Sequence, residues 1–336
     1  MIARLHAVVL SFMALVFVGV ALGQTPVQPT SSSVPPSRDV IAARVNGQAV
    51  WEIAVFRALL QVRADRRAEA RPEVINYLVD NTIVDQYLIQ LKIPVDQKEV
   101  EDHIAKLKEE AVKGKKDFKK MLGELYITED ELRAELVSAL RWDKFVLQQG
   151  SDKVLEDMFT KNVDMFNGSR MRARHILIPV KDGKQAEAQA SASAIKKAVE
   201  AEVAQVLAKL PPTTDVITRE KERAKALESS FSEMAKKYST CPSAKNGGDL
   251  DYFRRVTDMV EPFARAAFAL KPYQMSEPVV TEFGCHVILA IDYRPGKEVK
   301  FEQVKPLVQE VYGERLREAV LTAYKSKSKI EIVEKK

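Results

Sequence analysis

The stretch from Tyr238 to Leu289 decides the fold, and it reads YSTCPSAKNGGDLDYFRRVTDMVEPFARAAFALKPYQMSEPVVTEFGCHVIL. Thiol, hydroxyl, imidazole and apolar groups are interleaved here as nowhere else in the chain. A strand-like run further upstream, RARHILI, adds one more imidazole, that of His175. Two of the chain's four histidines, His175 and His286, therefore sit on strand-like runs that flank one block.

These residues resemble the parvulin family of peptidyl-prolyl isomerases. The resemblance rests on four motifs in order: RARHILI, then Y-S-x-C-P-S-A-x-x-G-G-D-L, then M-x-x-x-F, then M-S-x-P-V-x-T-x-F-G-x-H-x-I. It implies an α+β chain whose parvulin domain has a four-stranded antiparallel sheet with surrounding helices. It also implies an enzyme that acts on Xaa-Pro bonds of unfolded or folding polypeptides.

The resemblance assigns roles to eight residues. A paired set of imidazoles with thiol and hydroxyl groups forms the catalytic part: His175, Cys241, Ser276, Thr281 and His286. An apolar pocket for the proline ring is made by Leu250, Met259 and Phe263. Met259 and Phe263 are four residues apart beside Glu261-Pro262, which predicts that they share one face of a helix.

The chemistry of an Xaa-Pro bond explains why these residue types suit it. Rotation about a peptide bond crosses a barrier of ~18–20 kcal/mol, and no covalent bond is made or lost. A catalyst therefore needs an apolar grip on the ring and a dry, weakly polar site that favours the twisted amide. We expect no metal, no cofactor and no required small molecule.

Two alternatives concern individual residues. A methionine and a phenylalanine at helical spacing are often plain core, and a strand histidine is often a satisfied core residue. Cys241 with two histidines could be taken for a cysteine-protease dyad, but no protease signature surrounds it.

The chain departs from the family pattern at two points. Asp251 stands where a glycine is common, and the link from Leu250 to Met259 is one residue longer.

The N-terminal residues 1–23 predict a secretory signal, with Arg4 ahead of an uncharged apolar run and a small-residue cleavage site. The alternative is an uncleaved anchor that keeps the protein near the membrane, since the run approaches the ~20 residues that span a bilayer. We expect a periplasmic or extracellular protein. Residues 24–39 are rich in proline and serine and predict a solvated linker.

Residues 40–168 predict a hairpin at Asn46-Gly47 followed by amphipathic helices, one of them with a capping box at Thr128 and Glu131. Such a segment ahead of a parvulin block resembles the N-terminal chaperone region of SurA- and PrsA-type exported foldases. The parvulin domain is predicted at 169–296, and residues 297–336 are predicted to return as a helix and a strand that complete the N-terminal domain beside Ala42 to Val45.

The parvulin block carries an unusually long link after its first strand. Within about 185–230 we predict an inserted helical hairpin, broken at Pro211-Pro212. Ile195 to Leu210, including Val206, keep apolar residues on one helical face.

The formal net charge of +5 over 336 residues leaves acids and bases nearly balanced, so no nucleic-acid-binding patch is indicated. The leading functional interpretation is an exported isomerase and folding factor. The alternative is a holdase that binds unfolded clients and carries a weakly active or inactive parvulin domain.

The two cysteines would be suspected of a disulfide in an oxidising compartment. Neighbouring residues on a strand point to opposite faces, so a strand that turns His286 toward the cleft turns Cys285 away, together with Phe283 and Val287. Cys241 belongs to the cleft side. The sequence therefore predicts two free thiols.

Overall fold

Residues 34–180 and 183–333 are described by a computed structural model, and they fall into two units. One unit comprises 34–155 with 309–333, and the other comprises 156–308 except for 181 and 182. The predicted signal peptide and most of the predicted linker lie outside the described residues. No helix among the described residues combines the length and the apolar character that crossing a membrane requires.

The first unit contains a small sheet built on the predicted hairpin. Strand β1 (Ile41–Val45) pairs antiparallel with β2 (Gln48–Trp51). Asn46 and Gly47 both take positive φ angles, 51° and 87°, as a two-residue type I′ turn requires. The C-terminal strand β7 (Ile330–Ile332) pairs antiparallel with the other edge of β1, which confirms the predicted return of the chain.

Helices follow the hairpin throughout the first unit. The predicted capping box is present, because the Glu131 N–H donates to Thr128 Oγ1 and the Thr128 N–H donates to the Glu131 carboxylate. The helices up to 161, and the long one near the C-terminus, are α1 (Glu52–Leu60), α2 (Arg67–Gln90), α3 (Gln97–Lys113), α4 (Phe118–Glu124), α5 (Glu129–Gln149), α6 (Asp152–Lys161) and α10 (Phe301–Tyr324).

The second unit is organised around a four-stranded antiparallel sheet, which confirms the predicted α+β class. Its strands are β3 (Arg170–Ile178), β4 (Asp249–Arg254), β5 (Val279–Thr281) and β6 (Gly284–Arg294), in the order β4-β3-β6-β5. The β6 strand is buried from Gly284 through Ile291, because helices cover the sheet on both sides.

One face of this sheet is covered by α7 (Gln185–Ala208) and α8 (Val216–Tyr238). Ile195, Val199 and Val203 pack there as predicted. The prediction is wrong for Val206, which is 38% exposed, because Leu207, four residues after Val203, continues the packed face instead. The α8 helix continues without a break to Tyr238. The other face is covered by the short helix α9 (Glu261–Phe268).

Alternation along β6 separates the two faces. Cys285 and Val287 belong to the core beneath α7 and α8, while Ile288 and Ala290 belong to the core beneath α9. The expected position of Phe283 is wrong: it lies in the two-residue turn between β5 and β6 and is 60% exposed. Alternation does not extend to Phe283 because the strand begins only at Gly284.

Candidate active site

The two strand histidines lie side by side on the face of the sheet that α9 covers. Antiparallel pairing sets Leu177 opposite His286 and His175 opposite Ile288, so the two histidines are diagonal neighbours. Their rings stack with centroids 5.4 Å apart, and a hydrogen bond of 3.2 Å joins the two Nδ1 atoms. Both side chains are buried.

A hydroxyl extends this chain of hydrogen bonds at one end. Thr281 Oγ1 lies 2.8 Å from His286 Nε2 and also accepts the Phe283 N–H at 3.1 Å. At the other end, His175 Nε2 is buried and has no hydrogen-bond partner among the described residues. A buried polar atom without a partner costs about 1–3 kcal/mol, so this nitrogen is available for a contact that a bound substrate or water would supply.

Both imidazoles are held neutral near physiological pH. Burial, together with a smaller contribution from the neighbouring His286, lowers the pKa of His175 from 6.5 to about 4. Burial likewise lowers the pKa of His286 to about 4. In a neutral pair, one nitrogen donates and the other accepts, which is what the single bond between the Nδ1 atoms requires.

The predicted proline pocket lies against these rings. Phe263 is 2% exposed and meets both imidazoles edge-on, with ring centroids 5.5 Å from His175 and 5.2 Å from His286. Leu250 and Met259 are partly buried against the same apolar cluster. The structure therefore brings all three predicted pocket residues together beside the histidine pair.

The prediction that Met259 and Phe263 share one face of a helix is wrong. The α9 helix begins at Glu261, so Met259 lies in the loop before it and shares no helical face with Phe263. Met259 packs from this loop against the apolar cluster that contains Phe263.

The Gly247-Gly248 pair fixes β4 against β3. Gly248 takes a φ of 78°, and its carbonyl accepts the His175 N–H at 2.9 Å. A Cβ on Gly248 would lie 2.3 Å from the His175 carbonyl oxygen, so only glycine fits. This contact aligns Leu250 with the histidine strand.

Asp251, the departure from the family pattern, takes a φ of 56°. That conformation is open to glycine at little cost and to aspartate when its neighbourhood supports a turn. Here the Asp251 N–H donates to the Asp249 carboxylate at 2.9 Å. The substitution is thereby accommodated without moving Leu250 out of the pocket.

Ser276 is placed near the site but is committed to the backbone. Its N–H donates to the Ile288 carbonyl at 2.8 Å, and its Oγ accepts the Ile288 N–H at 3.0 Å. Among the described residues it makes no hydrogen bond to either imidazole. Ser276 therefore secures the edge of β6 two residues from His286.

Cys241 is half-buried, and no hydrogen bond joins its thiol to either imidazole among the described residues. Ser239, to which the family resemblance assigned no role, holds this segment: its Oγ accepts the Leu177 N–H at 3.0 Å and the Cys241 N–H at 3.3 Å. Its only sequence signal is a hydroxyl two residues before the cysteine, a spacing typical of local turns.

We expect thiol reagents to distinguish the two cysteines in the native full chain. Both are free, and burial raises the pKa of the Cys285 thiol, whereas Cys241 is partly accessible. Cys241 should react quickly and Cys285 only after unfolding, so titration in denaturant without reductant should count two thiols. A count of zero would show a disulfide and contradict the facing of β6.

Two family models match the chain. The PPIC-type PPIase domain matches residues 207–292, and the SurA-like N-terminal domain matches residues 3–146. The first match begins near the C-terminal end of α7, so β3 and His175 precede it, separated from it by the inserted helix.

The chain is also similar to individual proteins. The chain is 39% identical over 89 residues to the foldase protein PrsA of Bacillus subtilis, covering 26% of this chain and 29% of that protein. It is 32% identical over 120 residues to the peptidyl-prolyl cis-trans isomerase pin1 of Rhizopus delemar, covering 36% of this chain and 71% of that protein. The solved structure of PrsA from Bacillus anthracis has a TM-score of 0.41 at 20% identity, covering 74% of this chain and 96% of that chain.

The fold and the matches together define a parvulin-type domain joined to a SurA-like one, and the chain belongs to the parvulin family of peptidyl-prolyl isomerases. The predicted family is confirmed. The chain spans between 29% and 31% of the length of the first curated relatives that it matches.

Proposed function

We propose that this protein is an exported peptidyl-prolyl cis-trans isomerase and folding factor that acts on Xaa-Pro bonds of unfolded polypeptides. The observation that carries the proposal is the contact of Phe263 with both rings of a buried, hydrogen-bonded histidine pair. The apolar residues that would bind the proline ring thus lie directly against the weakly polar histidine pair.

The proposed mechanism is non-covalent. Leu250, Met259 and Phe263 hold the proline ring while the preceding carbonyl rotates. The neutral imidazoles of His175 and His286, the second of which is bonded to Thr281, present fixed dipoles in a buried site, and such dipoles need no reorganisation as the amide twists. A tenfold acceleration requires about 1.36 kcal/mol, so modest differential binding of the twisted amide accounts for useful catalysis.

The geometry favours this mechanism over nucleophilic attack by Cys241. An activated cysteine needs a thiolate stabilised by a nearby cation or a base within hydrogen-bond reach. Both histidines have a pKa of about 4 and are neutral at pH 7, and neither is bonded to the thiol among the described residues. We assign Cys241 a polar role at the rim of the site.

Cys241→Asp is expected to retain substantial turnover of a short Xaa-Pro peptide, because aspartate keeps a polar group at that point. The exchange rate of the peptide's cis and trans proline signals, measured by NMR with the full chain, checks this. Cys241→Ala serves as the control for side-chain polarity. Complete loss in the aspartate variant, with an acyl-enzyme trapped on the wild type, would contradict a non-covalent mechanism.

We further propose that residues 169–296 form the isomerase domain and that 40–168 with 297–336 bind unfolded clients. The SurA-like match supports the second part, as do large apolar residues left exposed in the first unit, including Tyr77 at 59% and Val112 at 73%. These same observations favour the alternative of a holdase. Suppression of client aggregation that is unchanged when isomerase turnover has been removed by substitution would support that alternative.

Export is proposed from the character of residues 1–23, with cleavage leaving a periplasmic or extracellular protein. Without cleavage the same segment would hold the protein at the membrane. N-terminal sequencing of the protein recovered from the producing cell, with its partition between soluble and membrane fractions, separates these outcomes.

A further inference from the structure

The loop that carries Met259 joins β4 to α9 and spans residues 255–260. Thr257, near its middle, takes a φ of 82°. A β-branched residue rarely adopts positive φ, because its side chain crowds the backbone there. Such a conformation persists only where the surrounding structure enforces it, so the loop must be held by contacts at its ends.

At the start of the loop, Arg254 bonds the Asp258 carboxylate through its N–H and its guanidinium. The contact that reaches outside the loop is made by the guanidinium of Arg255. Its side chain is only 8% exposed. One terminal nitrogen, NH2, donates to Glu261 at 3.1 Å, which closes the loop at its base because Glu261 begins α9. The other, NH1, donates to both carboxylate oxygens of Asp164, at 2.9 and 3.0 Å.

Arg255 thereby ties the loop to a segment that lies about ninety residues earlier, at the C-terminal end of α6. Its NH2 also donates to Asn162 Oδ1 at 3.2 Å. This segment is itself well anchored: Asn162 Nδ2 donates to the Met158 carbonyl at 2.9 Å, and Phe166 is buried. The segment precedes β3 and contributes no residue to the site described above.

We propose that Arg255 is a positioning residue for the isomerase reaction, and that its bond to Asp164 holds Met259 against the proline ring. This inference rests on the proposed function, since it assigns Met259 to substrate binding. The segment at 162–164 then sets the shape of the pocket without touching substrate.

The chemistry of the contact makes it specific to arginine and a carboxylate. A planar guanidinium can bond Asp164, Asn162 and Glu261 at once, whereas a lysine ammonium is a compact point charge that cannot fill this geometry. Losing the Asp164 carboxylate leaves a buried guanidinium with less compensation, so the side chain and the loop are expected to move. Since Met259 grips substrate and transition state alike, the effect should fall mainly on KM.

The experiment compares Asp164→Asn and Arg255→Lys with Glu233→Gln in the full chain. Glu233 pairs with Lys236 at 2.8 Å on an exposed part of α8 and is the matched control. Turnover of a short Ala-Pro peptide gives kcat and KM separately. In parallel, 13C-labelled methionine reports the Met259 methyl signal, assigned from a Met259→Leu variant, with no substrate present.

We call the bonds of Arg255 to Asp164, Asn162 and Glu261 the Arg255 clamp, and Asp164→Asn and Arg255→Lys its clamp variants. Both are expected to raise KM by about tenfold, as the loss of one charge-assisted hydrogen bond predicts. Their kcat should stay within about twofold of the wild-type value. The Met259 methyl signal should move, while the control changes neither quantity. A Met259 signal unmoved in a folded Asp164→Asn chain would overturn the inference. So would a fall in kcat alone that matches the unfolded fraction, because that indicates a purely structural role.

The two proposals fail in distinguishable ways. If the wild type turns over peptide and the clamp variants keep its KM, the positioning role is wrong and the isomerase function stands. If the wild type shows no turnover, the function fails, and the methyl signal still decides whether the Arg255 contact positions Met259. If Asp164→Asn does not fold, Arg255→Lys, which keeps the charge, is the variant that decides.

Discussion

Replacing Met259 with alanine is expected to lower kcat/KM for an Xaa-Pro peptide by roughly ten- to hundredfold, because burying a methionine side chain contributes about 1.5–3 kcal/mol. Met259 is only partly buried and lies in a loop, so the fold should survive the change. Rates from peptide exchange measured by NMR, together with a circular-dichroism spectrum, check both statements.

Met234→Ala is the matched control for this variant. Met234 is also partly buried, but it packs on the opposite face of the sheet, in the core beneath α7 and α8. It should leave the rate unchanged. An unchanged rate in a folded Met259→Ala chain would remove Met259 from the site.

Phe263→Ala should abolish turnover. Phe263 is only 2% exposed, however, and the truncation of a buried phenylalanine typically costs ~3–5 kcal/mol of stability. Loss of the fold would therefore be ambiguous. Phe263→Leu keeps most of the volume and separates the two effects: a folded chain with weakened turnover assigns the aromatic ring to the site.

Acid is expected to destabilise the isomerase unit strongly between about pH 6.5 and pH 4. Folding lowers the pKa of both His175 and His286 from 6.5 to about 4, so the unfolded chain binds protons first as the pH falls. The stabilisation is complete above about pH 6.5 and is lost progressively toward pH 4. Between pH 7 and pH 5 the pair should account for about 4 kcal/mol of unfolding free energy.

The chain offers separate probes for its two units. Both tryptophans, Trp51 and Trp142, lie in the first unit, so their fluorescence follows that unit alone. Cys285 is buried in the second unit, and its reaction with a dithiodipyridine in a Cys241→Ser chain follows unfolding of the isomerase unit. Urea titrations at several pH values then give the two dependences independently.

The steep loss of stability in acid should appear in the reactivity of Cys285 and not in the fluorescence of the tryptophans. His103→Asn, which alters the histidine of α3 in the first unit, is the control and should leave the Cys285 transition in place. If the midpoint seen by Cys285 is flat from pH 7 to pH 5, the imidazoles are not held neutral by folding, and the proposed site electrostatics are wrong.

Local signals in the sequence predicted those parts of the fold that depend on neighbours in the chain. The Asn46-Gly47 turn and the Thr128 capping box need only a few residues, and each forms as expected. Alternation on β6 likewise placed His286 and Cys285 on opposite faces. It failed at Phe283, where the two-residue turn ends the strand, because period-two patterning does not report where a strand begins.

The sequence predicted which residues make up the candidate site, but not the contacts that bring them together. The order of the motifs identified eight candidate site residues, and the structure groups His175, His286, Thr281, Phe263 and their apolar neighbours. It does not bond Cys241 or Ser276 to the imidazoles. Ser276 is held by its bond with the Ile288 backbone, and the segment that carries Cys241 is held by the bond between Ser239 and the Leu177 backbone. No local pattern encodes either long-range contact.

The Arg255 clamp shows the same limit. Its partners Asp164 and Glu261 are ordinary charged residues in sequence, and only the folded chain brings them to one guanidinium. A single arginine among the chain's many charges carries no sequence signal of its own.

The central claim is tested most directly by NMR exchange spectroscopy of a short Ala-Pro peptide mixed with a substoichiometric amount of the full chain. A non-covalent prolyl isomerase will speed exchange in both directions, leave the cis-to-trans ratio unchanged and add no mass to the protein. Loss of the effect in Met259→Ala but not in Met234→Ala would place it in the pocket. Exchange at the uncatalysed rate, with the chain folded and both thiols free, would contradict the account.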